Sequence, residues 1–185
     1  MNKFTLIAGP CAIEDDKMPF KIGREVKRIC DDLGINFIFK GSYRKANRSR
    51  LDSFTGIGDE KALNILKAVG EELGVQTITD IHETHEAELV AKYVDNIQIH
   101  AFLCRQTELL LAAGRTGKGV NIKKGQFLSP EAMMFPLEKV RSTGNEKVWL
   151  TERGNSFGYT DLIVDATAIT RLKALGAFTI MDCTH

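Results

Sequence analysis

Seven short apolar runs punctuate this chain, and each gives way to polar residues able to bind or react. Phe4–Ala8 opens onto Pro10-Cys11, Asn36–Phe39 onto Lys40-Gly41-Ser42, Gln76–Thr79 onto Asp80-Ile81-His82, and Asn96-Ile97 onto Gln98. Val120-Asn121-Ile122 then opens onto Lys123-Lys124, Val148–Thr151 onto Glu152-Arg153, and Ala177–Met181 onto Asp182-Cys183-Thr184-His185. Stretches of helical periodicity separate the runs, so strand and helix alternate, the pattern of a parallel sheet with crossover helices. The predicted fold class is α/β, a (β/α)8 TIM barrel, in which strand tips distant in sequence meet on one face. A doubly wound sheet is the alternative, but it would normally carry a glycine-rich phosphate fingerprint after its first strand. Ala8-Gly9-Pro10-Cys11 carries none.

Three helices are well marked. Asp59–Leu73 places Ala62, Leu63, Leu66 and Val69 on one face and is closed by Gly74. Ser129-Pro130-Glu131 supplies an N-cap, a first-turn proline and an acidic residue for a helix ending near Gly144. A third helix is predicted over about Thr160–Leu175, stopping at Gly176. Cys30 falls in the register of Ile22, Val26, Ile29 and Leu33 and reads as a core residue.

At 185 residues and 43% hydrophobic content the chain is expected to form one barrel domain over residues 1–185, with no linker or repeat. A net charge of +1 with dispersed Lys and Arg gives no nucleic-acid stripe or polybasic membrane patch. No apolar run approaches a membrane span and no secretory segment stands out, which places the expected location in the cytoplasm. The four cysteines show no paired spacing, so reduced thiols are expected.

Three apparent motifs carry no chemistry. Gly114-Arg115-Thr116-Gly117-Lys118-Gly119 lacks the phosphate-loop spacing and the hydroxyl after Lys, and reads as a helix-to-strand turn. His82-Glu83-Thr84-His85 lacks the spacing that turns two imidazoles of a helix toward one zinc. Gly56-Ile57-Gly58 is a glycine-rich loop.

Lys40, Lys45, Lys123, Lys124 and Arg153 all lie at or near strand ends, which suits phosphate and carboxylate groups. Strand alternation predicts that one of Lys123 and Lys124 points inward and the other outward. Cys11 and His185 at strand ends are a weak metal pair on their own, and Asp80 and His82 are candidate acid/base or hydrogen-bonding groups.

Longer motifs are more specific. Ile7-Ala8-Gly9-Pro10-Cys11-Ala12-Ile13-Glu14, Phe39-Lys40, Lys45-Ala46-Asn47-Arg48-Ser49, Thr79-Asp80-Ile81-His82-Glu83 and Ala101-Phe102-Leu103-Cys104-Arg105-Gln106-Thr107 resemble the 3-deoxy-D-manno-octulosonate 8-phosphate synthases. So, in the same order, do Asn121-Ile122-Lys123-Lys124-Gly125-Gln126-Phe127, Thr151-Glu152-Arg153-Gly154, Phe157-Gly158-Tyr159 and Asp182-Cys183-Thr184-His185. The resemblance runs from end to end. It implies a TIM-barrel transferase that condenses phosphoenolpyruvate with arabinose 5-phosphate, releases phosphate and serves lipopolysaccharide synthesis. By the same resemblance Lys40, Ser42, Gln98, Lys123 and Arg153 hold phosphoenolpyruvate, Lys45 stands between the substrates, and Asp80 touches the sugar. Asn47, Arg48 and Ser49 match the loop that receives the sugar phosphate, partly from a neighbouring subunit, which implies a homo-oligomer, usually a tetramer. Cys11 matches the metal-dependent class, with His185 as its partner ligand and a catalytic-site residue; the metal-independent class carries Asn there. Fe(II), Zn(II), Mn(II) and Co(II) all suit such a donor set. The related heptulosonate synthases, which use erythrose 4-phosphate, and a remnant that at most binds phosphoenolpyruvate are the alternatives.

Several positions depart from the resemblance. His100 stands where the family has proline, Arg44 where it has an acid, Arg50 follows Ser49, and Thr55 and Ile57 interrupt a Phe-Arg-Gly-Pro-Gly run. The chain also stops at the seventh predicted strand, whereas a barrel has eight strands and about 250 residues. The expectation is therefore a fragment lacking its C-terminal part, unstable or inactive alone; the resemblance implies that the missing part holds a further Glu and Asp metal ligand.

Overall fold

The computed structural model describes residues 4–184. The chain forms two compact units: one holds the described residues up to Asp80 with Val90–Asn96, the other Ile81–Leu89 with the described residues from Ile97 onward.

The first unit contains β1 (Thr5–Ala8), α1 (Met18–Asp32), β2 (Asn36–Lys40), α2 (Asp59–Leu73) and nearly all of β3 (Gln76–Ile81). The strands lie in chain order and pair in parallel, Thr5 opposite Asn36 through Ala8 opposite Phe39, and Ile38 opposite Gln76 through Lys40 opposite Ile78. α2 has the predicted bounds. Asp59 and Glu60 complement its N-terminal dipole, Ala62, Leu63, Leu66 and Val69 are buried, and Gly74 ends it at φ 62°, where a side chain would be strained. Phe37 and Phe39 meet edge-on at 6.4 Å in the same core.

α1 confirms Cys30 as core but turns a different face inward. Pro19, Gly23 and Cys30 are buried, whereas Ile29 and Leu33 are exposed and Ile22 and Val26 half-buried. The reason lies at Gly23. A Cβ there would stand 2.7 Å from Leu73 and 3.3 Å from Val69, so the backbone of α1 sits directly on α2 and the bulky residues rotate away.

The second unit contains α3 (Glu86–Val90) up to Leu89, β4 (Asn96–Ile99) from Ile97, a 3-10 turn at Ala101–Leu103, α4 (Thr107–Arg115), β5 (Gly119–Lys123) and a 3-10 turn at Glu131–Met133 that runs into α5 (Met134–Arg141). It continues with β6 (Val148–Glu152), β7 (Asn155–Phe157), β8 (Asp161–Ile163), α6 (Thr167–Lys173) and β9 (Phe178–Met181). β4, β5, β6 and β9 are neighbours in that order, with β5, β6 and β9 paired in parallel. All seven apolar runs are strands. The Gly114–Gly119 segment is the predicted turn, with Gly117 at φ 69°.

The predicted helix over Thr160–Leu175 is shorter than expected. Its first residues instead form the antiparallel hairpin β7–β8, with Asn155 opposite Ile163 and a turn at Gly158, φ 64°. Ile163 and Val164 are β-branched and prefer an extended backbone. The helix begins only after Asp165, whose carboxylate accepts from Thr167 N at 2.9 Å and Thr167 Oγ1 at 2.7 Å.

Arg171 of α6 reaches Glu131, with Nη2 donating to Oε2 at 2.6 Å. That hydrogen bond pulls the Glu131 carboxyl from 4.5 down to about 2. A depressed carboxyl stabilises the fold above its unfolded pKa, and the contribution is lost as pH falls from about 4.5 toward 2. The pair is largely exposed, so the effect is small. Thermal unfolding of wild type and Glu131→Gln should show a gap at pH 6 that narrows below pH 4.5; a gap independent of pH would exclude the link.

Candidate active site

The second unit places two groups of polar side chains around its strand tips. The first follows the alternation of β5, where Asn121 and Lys123 share one face and Ile122 and Lys124 the other. Thr151 Oγ1 donates to Asn121 Oδ1 at 2.6 Å, and Asn121 Nδ2 donates to Gln98 Oε1 at 3.3 Å, all three residues being buried. On the same face Lys123 Nζ meets Asp182 Oδ2 at 2.6 Å, both side chains nearly closed to solvent. Asp182 is held in turn by its own N–H on Glu152 O at 2.9 Å, while its Oδ1 accepts from Thr184 N and Oγ1 at 3.1 Å.

Arg153 follows β6 with only 9% of its surface exposed. Its Nε and Nη1 are buried without a hydrogen-bond partner among the described residues. A buried guanidinium with idle N–H groups is costly by itself, and an anion is the species that satisfies it.

The second group was not anticipated. With Lys123 as the inward residue, Lys124 takes the outward face, and its side chain there is fully buried. Lys124 Nζ donates to Asn155 Oδ1 at 2.7 Å and to Leu128 O and Gly154 O at 3.3 Å, and it stands 3.5 Å from Glu152 Oε1. Burial pushes the ammonium pKa down and the Glu152 charge opposes that shift. Glu152 Oε1 also accepts from Arg153 N at 3.1 Å and Gly154 N at 2.7 Å, so one carboxylate fixes the backbone that carries Arg153. The outer face of β5 is covered by chain rather than by water, and a strand pattern cannot report that. The oppositely charged Lys124 and Glu152, one at each strand end, are the sequence signal that could have found the pair.

The first unit positions the remaining candidates. Gly9 lets the tip of β1 lie against β2, since a Cβ there would fall 1.9 Å from Lys40 O. Lys40 is half-buried. Ser42 is fully buried, its carbonyl accepts from Ile13 N at 3.0 Å, and its Oγ accepts from Lys45 Nζ at 2.9 Å, so Ser42 and Lys45 are brought together. Tyr43 beside them is buried, which pushes its phenol up to about 12. Arg44 pairs with Asp59 at the start of α2 at 3.4 Å, which gives that basic departure a structural partner. Asn47, Arg48 and Ser49 lie on an exposed loop, with Arg48 Nε on Phe54 O at 3.3 Å. Asp80 is buried near the end of β3.

In the second unit His82 is half-buried, its side chain largely closed to solvent with Nδ1 3.7 Å from Glu86 Oε2. The same oxygen accepts from His82 N at 2.6 Å and Glu83 N at 3.2 Å, which ties the residues rejected above as a zinc motif into the turn leading to α3. His100 caps the 3-10 turn and stacks on Phe102 at 5.3 Å.

Of the predicted metal pair, Cys11 is an exposed free thiol past β1, and His185 lies outside the described residues. Among the described residues no three His, Cys, Asp or Glu side chains gather closely enough to hold a metal. Cys30, Cys104 and Cys183 are also free, and burial pushes the thiols of Cys30 and Cys104 up.

Comparison with known proteins supplies the family. The model of the DAHP synthetase I family matches residues 1–185. The chain is 48% identical over 182 residues to the 2-dehydro-3-deoxyphosphooctonate aldolase of a Cyanothece strain, covering 98% of this chain and 67% of that protein. Over 181 residues it is 48% identical to the aldolase of the same name from a Synechococcus strain, covering 98% and 64%. The Syntrophotalea carbinolica protein of that name is 47% identical over 180 residues, covering 97% and 65%. The chain thus spans about two thirds of the length of these relatives. The α/β alternation, with strands in chain order in each unit, is that of a (β/α)8 barrel, seven strands of which are present among the described residues. With the family model matched over the whole chain and relatives this similar, the chain belongs to the DAHP synthetase I family.

Proposed function

We propose that this chain carries the phosphoenolpyruvate-handling part of a 3-deoxy-D-manno-octulosonate 8-phosphate synthase, which condenses phosphoenolpyruvate with arabinose 5-phosphate for lipopolysaccharide synthesis. The observation that carries the reading is Arg153, a buried guanidinium with two idle N–H groups. In the second unit Gln98, Lys123 and Arg153 receive the carboxylate and phosphate. In the first, Lys40, Ser42 and Lys45 serve phosphoenolpyruvate and its reacting partner, while Asp80, Asn47, Arg48 and Ser49 serve the sugar phosphate. Carbon 3 of the enol attacks the sugar aldehyde, water adds at carbon 2, and phosphate leaves. Oriented cations would supply most of the rate by holding two anions together and stabilising charge as it develops. Titration with phosphoenolpyruvate and an assay of phosphate release with and without arabinose 5-phosphate test the reading. Sugar-dependent release supports it; absence of phosphoenolpyruvate binding overturns it.

A divalent ion on Cys11 and His185, with the protein a cytoplasmic homotetramer, belongs to the same proposal. The ion would act as a Lewis acid near the sugar aldehyde. Cys11 supplies a soft donor suited to Fe, Zn, Mn or Co. Metal analysis of the purified protein should find a bound divalent ion that chelator removes and that Cys11→Asn no longer retains, with phosphate release abolished by chelator and restored by added metal. Full activity in chelator, or undiminished metal in Cys11→Asn, would exclude it.

A further inference from the structure

The chain of hydrogen bonds across β6, β5 and β4 has a direction. Asn121 Oδ1, 2.6 Å from Thr151 Oγ1, is a carboxamide oxygen and can only accept, so the single hydroxyl proton of Thr151 is committed to it. The Asn121 amide is thereby oriented with Nδ2 toward Gln98, 3.3 Å from Oε1. With its oxygen occupied, Gln98 has the two N–H groups of Nε2 left to offer. Thr151 and Asn121 are each 2% exposed and Gln98 is 5% exposed, so water competes little for these bonds.

We infer that Thr151 and Asn121 are positioning residues that lock the Gln98 carboxamide as a hydrogen-bond donor toward an anionic ligand. The inference rests on the reading of Gln98 as a phosphoenolpyruvate-binding residue. A carboxamide turned by 180° fills nearly the same space, so packing alone leaves its orientation undecided. The electrostatic consequence is opposite: one orientation offers N–H to a carboxylate or phosphate, the other offers a repelling oxygen. A hydroxyl can donate or accept, so what resolves the choice is the 2.6 Å separation, normal for O–H···O and short for N–H···O, which sets the oxygen of Asn121 rather than its nitrogen against Thr151.

The test separates hydrogen bonding from packing at Thr151. Thr151→Val keeps the shape and loses the proton; Thr151→Ser keeps the proton and loses a methyl. Direct titration of the purified protein with phosphoenolpyruvate should show Thr151→Val weakened about fivefold or more, the worth of one hydrogen bond, and Thr151→Ser within about twofold of wild type. Asn121→Asp, which offers acceptors to both neighbours and so turns the Gln98 oxygen toward the ligand, should weaken binding further. The opposite order, Val like wild type and Ser weakened, would overturn the inference and leave Thr151 a packing residue. Side-chain amide NMR reads the orientation without ligand: the Asn121 NH2 should be protected from exchange in wild type and Thr151→Ser, and exposed in Thr151→Val. Wild type that fails to bind phosphoenolpyruvate would sink the functional reading, while unprotected Asn121 amide protons in wild type would sink this one.

Discussion

Replacing Arg153 with alanine should weaken phosphoenolpyruvate binding by roughly 30-fold to several thousand-fold, the usual cost of about 2–5 kcal/mol for truncating one side of a buried, hydrogen-bonded charge pair. The same change should leave the melting temperature level or raise it. Nε and Nη1 of Arg153 are buried with no partner among the described residues, so the empty fold gains nothing from them and bears their desolvation. Arg153→Lys keeps the charge but not the planar array of N–H groups and should recover only part of the affinity. Isothermal titration with phosphoenolpyruvate and a thermal melt on the same samples give both readouts. Unchanged affinity in Arg153→Ala, or a large drop in melting temperature, would remove Arg153 from the binding machinery.

The second large effect falls on stability. Lys124→Met should destabilise the protein by about 3–5 kcal/mol, because it strands the Glu152 carboxylate in a fully buried position. For a chain of this size that is a fall in melting temperature of roughly 10 °C. Pairing it with Glu152→Gln removes the stranded charge while keeping an Oε1 acceptor for Arg153 N and Gly154 N, so the double variant should regain most of the loss. The coupling of the two changes is the quantity to measure, by denaturant or thermal unfolding. Additive effects would mean that Lys124 is held by the Asn155, Gly154 and Leu128 oxygens and owes little to Glu152. The arrangement explains why a basic residue can occupy a position on a strand that is closed on both faces: it ties the segment after β5 to the segment after β6, next to the backbone of Arg153.

Much of this was legible in the chain, and the exceptions share a cause. The bounds of α2 follow from its apolar stripe, its acidic first turn and Gly74, all local features, and they match the structure residue for residue. The seven strands follow from alternation and polar tips in the same way. The face of α1 did not, because Ile22, Val26, Ile29 and Leu33 make as regular a stripe as Pro19, Gly23, Val26 and Cys30, and only the close approach of Gly23 to Leu73 selects between them. The start of α6 was misjudged because an extended Leu162-Ile163-Val164 run and a helical one have similar apolar content, and pairing with Asn155–Phe157 decides for the strand.

The sequence by itself determined the order of the seven sheet strands, the polar character of their tips and, through motifs carried end to end, the family. It also named Gln98, Lys123 and Arg153 as candidates, since cations and amides at strand ends are readable one residue at a time. The tertiary structure alone decided which of those groups are paired. Lys123 is matched to Asp182, 59 positions away and just past β9, Lys124 is enclosed by Glu152 and Asn155, and Arg153 keeps idle donors. Local propensity and alternation act over a few residues and survive in the linear pattern. Burial, ion pairing and the direction of a hydrogen-bond chain depend on which distant side chains share one low-dielectric space, and that is fixed only when the strands assemble.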